Sequence, residues 1–135
     1  MSETALKEAA QLARKLGHIF VATADERGRP HVAAAAGFAA PAPDRVKVSA
    51  WFCPGTVNNL AVNRQIALVV WDPGPDIGYQ LCGEMEKMEE IAVLDGYGGE
   101  AEMRGKPVPQ VERQIVVRVD RVLAFTHAPH TDVAE

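Results

Sequence analysis

The chain has 135 residues, of which 47% are apolar and 24% charged, and its formal net charge is −4. That size suits a single domain over residues 1–135, with enough buried surface for a core without disulfides. An acidic balance with no cluster of Lys and Arg excludes nucleic acid as the expected partner, because phosphate-backbone binding rests on such clusters.

Residues 3–16 predict a helix, since Leu6, Ala9, Ala10, Ala13 and Leu16 fall on one stripe at i, i+3, i+4 spacing. Gly17 stands where a C-terminal stop is expected. Such a helix would cover one open end of a sheet. His18–Ala24 reads as a strand, Asp25-Glu26-Arg27-Gly28 as a turn and Pro30–Phe38 as the returning strand of a hairpin. A loop with Pro41, Pro43 and Asp44 leads to a strand over Arg45–Phe52, where Val46, Val48 and Ala50 alternate with Arg45, Lys47 and Ser49. Pro54-Gly55 breaks that strand, and Thr56–Asn63 reads as a short helix with Thr56 as its N-cap. Gln65–Trp71 is a near-continuous apolar strand ended by Asp72-Pro73-Gly74-Pro75, and Gly78–Met88 is the next strand. Residues 95–109 read as loop, with a brief helical turn over Glu100–Arg104. Arg113–Phe125 is the last strand, and the tail beyond His127 reads as mobile. Six short antiparallel strands joined by tight turns predict a mainly-β barrel or sandwich with two helices.

Three stretches invite a chemical reading. Ala33–Ala36 puts small residues in a row within a strand, where alanine is depleted. They form a low wall, suited either to a flat ligand or to close packing against the first helix. Pro54–Leu60 joins a strand to a helix whose N-terminal N–H groups suit an anion. Thr56 and Asn59 would add side-chain bonds there, though an N-cap is the commoner use of such a Thr. In Gly78–Gly83, Gln80 offers an amide to a ligand or to solvent, and Cys82 reads as a small core residue. His127 and His130 have a metal-like spacing but no third ligand in view. Trp51 and Trp71 read as core or interface, with Trp51 near enough to the anion turn to border a ring. No dinucleotide fingerprint, P-loop, HExxH or GxSxG occurs. Cys53 and Cys82 form no CxxC pair and read as reduced thiols of a cytoplasmic protein. No stretch has the length of a membrane span, and Lys7, Glu8 and Arg14 break any signal-peptide core.

The hairpin "HIFVATADERGRPHVAA", the segment "VKVSAWFCPGTVNNLAVNRQIALVV" and the strand "GYQLCGEME" follow one another as in a known arrangement. In these stretches the chain resembles the pyridoxamine-phosphate-oxidase-like family of FMN-binding split barrels, from residue 18 to about 89. The strand over 113–125 fits more loosely. The resemblance implies a six-stranded antiparallel split β-barrel of Greek-key type and a homodimer with two FMN molecules in grooves between the subunits. It implies that His31, Val32, Ala33 and Ala34 border the isoalloxazine, followed by Ser49, Ala50 and Trp51 on the neighbouring strand. Thr56 and Asn59 would hold the phosphate, and Gln80 would meet a polar edge of the ligand. One departure stands out: Thr56-Val57-Asn58 occupies the turn before "NL", where many members carry Lys or Arg. Lys47, Arg64 or a basic group of the partner subunit would then supply the charge. The expected activity is that of a flavin-dependent oxidoreductase or flavin reductase using a small-molecule electron donor or substrate. No Arg-rich C-terminal segment marks the oxidase activity itself. The alternatives are a flavin-binding or electron-transfer protein with no substrate of its own, and a protein binding deazaflavin F420 or haem in the same groove.

Overall fold

The computed structural model describes residues 3–50, 54–94 and 110–128. The expected loop over 95–109 with its helical turn, together with Trp51, Cys53 and His130, lies outside the described residues.

The first helix, α1 (Glu3–Leu16), forms where the apolar stripe places it, burying Leu6, Ala9, Ala10 and Ala13. Gly17 ends it at φ 79°, and its N–H donates to the Ala13 carbonyl at 2.8 Å. The hairpin of β1 (Ile19–Ala24) and β2 (Pro30–Ala35) also forms. Its turn is tied by the Asp25 carboxylate, which accepts bonds from the backbone N–H groups of Arg27 and Arg29, both at 2.9 Å.

Beyond Ala35 the structure departs from the expectation. Pro30–Phe38 is not one strand: the chain breaks at Ala36, and β3 (Gly37–Ala42) pairs with β4 (Arg45–Ala50) instead of β1. Ala39, Ala40 and Pro41 have low strand propensity, which hid β3 in the sequence. The partner strand and the packing of Phe38 on the core make it a strand all the same. The second helix, α2 (Pro54–Val62), starts two residues before Thr56. Thr56 is therefore a fully buried residue of the first turn and not the N-cap. The remaining strands are β5 (Gln65–Asp72), β6 (Ile77–Leu94) and β7 (Gln110–Ala124), and β6 runs past Met88 because β7 continues to pair with it.

All pairings are antiparallel, and the seven strands lie in the order β2-β1-β5-β6-β7-β4-β3. The expected six-stranded split β-barrel is thus corrected: the described residues form a seven-stranded sheet that is not closed into a barrel. Its two edges, β2 and β3, are consecutive in the chain and joined only through Ala36. An antiparallel pair needs at least a two-residue turn and a parallel pair a long crossover, so strands with this link cannot hydrogen-bond to each other. The short link nevertheless holds the edges near one another and curls the sheet. Val21, Val46, Val48, Leu68, Leu81, Ile115 and Val117 fill the inner side of the curl. Helix α1 packs on β3, β5 and β6, with Tyr79 Oη donating to Glu8 Oε2 at 2.7 Å. Helix α2 packs on β1 and β2 and buries Leu60. One close approach constrains the sheet. A Cβ at Gly83 would overlap the Arg118 carbonyl, so only glycine lets β6 and β7 meet there.

Candidate functional site

Strand alternation sorts the expected ring-lining residues onto two faces. His31 and Ala33 lie opposite Thr23 and Val21, whose side chains are buried on the inner side, whereas Val32 and Ala34 lie on the outer face. The four residues therefore do not form one wall. A wall exists, but it runs across strands. Register places Ala34, Phe20, Val69 and Gln80 in one lateral row and Val32, Ala22, Ala67 and Cys82 in the next. This outer face exposes large apolar groups, with Phe20 39% and Val32 63% accessible. Beside them lies a groove of about 430 Å³, floored by Ala22, Ala24, Ala67, Gln80 and Cys82 and edged by Gln65, Asp120 and Arg121. The Gln80 amide donates to Cys82 Sγ at 3.6 Å, which fixes the direction of its carboxamide. Periodicity did not single out Ala22, Ala67 or Arg121; the small residues alternating at positions 22, 24 and 67 were the available signal.

A second group gathers where β1 ends, β2 begins and α2 starts. The His31 ring lies against Gly55, where a Cβ would be 3.3 Å from Nε2, and its Nδ1 is buried with no hydrogen-bond partner. The Asn59 amide donates to Thr23 Oγ1 at 3.1 Å, so its side chain binds α2 to β1. Thr56 is inaccessible to solvent. Ser49 faces Gly37 across the β3–β4 ladder, and Ala50 ends β4 opposite Arg113. The structure thus divides the ten expected residues. Val32, Ala34 and Gln80 share the outer face; His31, Ala33, Thr56 and Asn59 belong to the inner side at α2; Ser49 and Ala50 close β4; and Trp51 is outside the described residues.

The cations expected to compensate for the uncharged turn are placed elsewhere. The Arg64 guanidinium donates to the carbonyls of Met85 at 3.3 Å and Glu86 at 3.0 Å. Lys47 is exposed on the outer side of β4. His127 is held by Asp76, its backbone N–H donating at 2.9 Å and its ring Nδ1 lying 3.2 Å from the carboxylate. The described residues contain no group of three or more His, Cys, Asp or Glu that could hold a metal. None of the described helices is long and apolar enough to cross a membrane.

The sequence profile of the family described as Pyridoxamine 5'-phosphate oxidase matches residues 5–125, from the first turn of α1 to the end of β7. The chain belongs to this family. None of the curated proteins compared with it matches its sequence. Solved structures share the fold at low identity. An FMN-binding protein from Syntrophomonas wolfei is 16% identical, with a TM-score of 0.64 over 95% of this chain and 90% of that one. An F420 reductase is 20% identical, with a TM-score of 0.58 over 83% of this chain and 93% of that one. The heme storage protein HutZ from Vibrio cholerae is 13% identical, with a TM-score of 0.54 over 88% and 93%. The family resemblance expected from residues 18–89 is therefore correct and extends through the looser last strand.

Proposed function

We propose that this family member binds FMN between two copies of the chain and works as a flavin-dependent oxidoreductase or flavin reductase on a small-molecule partner. The observation that carries the reading is the outer face, a broad row of small and apolar side chains ending in the oriented amide of Gln80. Alanine at positions 22 and 67 leaves a shallow floor on which a planar ring can lie, and Gln80 offers it one polar contact. Val32 and Ala34 extend that floor. Across from it, His31, Ala33, Ser49, Thr56 and Asn59 line or brace the second wall. Gln80 lies three strands from β2, roughly 14 Å at the usual interstrand spacing. One copy's edge and the other copy's outer face make the two walls of a cleft more readily than one copy alone, and two-fold pairing is the commonest way to bring them together.

A bound flavin supplies the hydride and electron chemistry; the chain binds it, orients it and keeps water from one face. The orphaned Nδ1 of His31 sits behind the proposed ring wall and fits a site whose hydrogen bonding is completed by a ligand or partner. The visible spectrum of the purified protein, before and after adding FMN or riboflavin, tests the reading. A bound-flavin band is the expected result, and a protein that takes up neither sinks it. Because the fold is shared with a heme storage protein and an F420 reductase, the same measurement with haem and F420 decides among the cofactors. No nucleophilic cluster stands out among the described residues, which favours a second reading as an electron carrier with no substrate of its own. Anaerobic NADH or NADPH separates the two: rapid bleaching supports a reductase, and an unchanged spectrum supports a carrier.

A further inference from the structure

The outer face of the sheet finishes differently at its two ends. Beyond Cys82 it is charged: Arg118 bonds Glu84, and Arg121 lies beside Asp120. Beyond Gln80 it closes on aromatic rings. Trp71 is two residues past Val69 on β5 and so shares its face. Its ring lies against Gly78, where a Cβ would be 2.9 Å from Trp71 Cδ1, and it meets Phe125 edge to face with centroids 5.8 Å apart. The third ring is His127, with its centroid 5.2 Å from that of Trp71.

His127 is exposed yet held. Its side chain is 75% accessible, but the Asp76 carboxylate accepts its backbone N–H at 2.9 Å and lies 3.2 Å from its Nδ1. The same carboxylate accepts the Trp71 indole N–H at 3.0 Å. The backbone bond alone pins the chain beyond β7, and any residue except proline at position 127 could make it. The contact at Nδ1 adds something else: it fixes the ring and leaves Nε2 on the side away from Asp76. An imidazole oriented through one nitrogen by a carboxylate, with the other nitrogen open, is built to pass a proton. The corner also selects what it meets. Trp71 and Phe125 suit a flat apolar group. The nearby carboxylates of Asp72 and Asp76 disfavour an anion, and Lys15 is already bound to Asp72 at 3.7 Å.

We propose that His127, oriented by Asp76, donates a proton to a flat, uncharged carbonyl compound that packs on Trp71 and Phe125 and is reduced at the flavin. The proposal rests on the flavin reading above and adds the chemistry of the acceptor; it also favours a reductase over a carrier. With a nicotinamide dinucleotide as reductant, two electrons pass as hydride by way of the flavin to the conjugated acceptor. The Nε2–H bond of protonated His127 breaks, and an O–H bond forms at the carbonyl oxygen. Solvent returns the proton through the exposed ring, so one reduced nicotinamide and one proton are consumed for each acceptor reduced.

The test uses the FMN-loaded protein and duroquinone, whose fully substituted ring leaves no position for a thiol to attack. Equilibrium dialysis against the oxidised protein gives the dissociation constant of duroquinone. Stopped-flow absorbance follows reoxidation of the photoreduced protein by duroquinone or by ferricyanide, which takes electrons without a proton. His127→Gln keeps the backbone bond to Asp76 and loses only the ring. In that variant reoxidation by duroquinone is expected to slow about 100-fold or more. Reoxidation by ferricyanide and the affinity for FMN stay unchanged. Loss of one hydrogen bond weakens duroquinone binding about 2- to 10-fold. Trp71→Leu weakens it about 10-fold, by removing the aromatic contact. A His127→Gln protein that duroquinone reoxidises at the wild-type rate overturns the proposal, as does one slowed equally with both acceptors. A wild type that takes up FMN but neither binds duroquinone nor is reoxidised by it overturns this site and leaves the flavin reading standing. A wild type that takes up no flavin overturns that reading, and the proposal with it.

Discussion

At Asp76 the backbone enters the left-handed region, with φ 56°. The reason is the use made of its carboxylate, which accepts the Trp71 indole N–H at 3.0 Å and the His127 backbone N–H at 2.9 Å. The Trp71 bond first, then the His127 backbone bond, hold the carboxyl below its ordinary range. A carboxyl whose pKa is lowered by folding stabilises the fold above its unfolded value and loses that effect as pH falls through the folded value. Asp76→Asn keeps a residue that tolerates the left-handed backbone and removes only the charge. The difference in thermal midpoint between the two proteins is expected to be steady above about pH 5 and to shrink as pH falls below about 4. Gly83 fails for a different reason. Gly83→Ala forces a methyl into the Arg118 carbonyl, and overpacking of this kind costs about 1–3 kcal/mol or more, read as a lower urea midpoint. The sequence shows a glycine in a strand at position 83, but the atom that forbids a side chain belongs to a residue 35 positions away.

At the level of elements, α1 was fully legible, because a helix repeats its pattern every few residues and Leu6, Ala9 and Ala13 record it. Leu6→Ala opens a cavity under that helix and is expected to cost about 2–5 kcal/mol by chemical denaturation, whereas exposed Arg14 tolerates alanine. Strand β3 was not legible, since nothing within Gly37–Ala42 requires an extended chain; its partner β4 imposes it. The start of α2 was misplaced for a related reason. Thr56 has the chemistry of an N-cap, but the helix starts two residues earlier at Pro54 and Thr56 is buried inside its first turn. Asn59 donates one amide N–H to Thr23 Oγ1 and so ties α2 to β1. Asn59→Ala is expected to loosen α2 from β1 at a cost of about 1 kcal/mol. If FMN affinity falls in that variant while riboflavin affinity does not, Asn59 serves the phosphate as well.

For the whole molecule the decisive property is the exposed apolar side of β1, β2 and β5. Val32 stands exposed on its edge strand, and a second copy is the proposed cover. Val32→Lys is expected to convert a dimer into a monomer by light scattering and to weaken flavin binding with it; a wild type that is monomeric removes the two-walled cleft. The sequence by itself determined the helix, the hairpin, most strand positions and the family, because these rest on short-range periodicity, turn chemistry and residue order. It also marked Val32, Ala34 and Gln80, yet it could not place them on one face and their neighbours on the other. The tertiary structure decided three things: that the sheet stays open between β2 and β3, that the wall runs across strands, and that His127 comes to rest against Asp76 and Trp71. Each depends on register and pairing between segments far apart in the chain, and a pairing one residue out would have reversed every face.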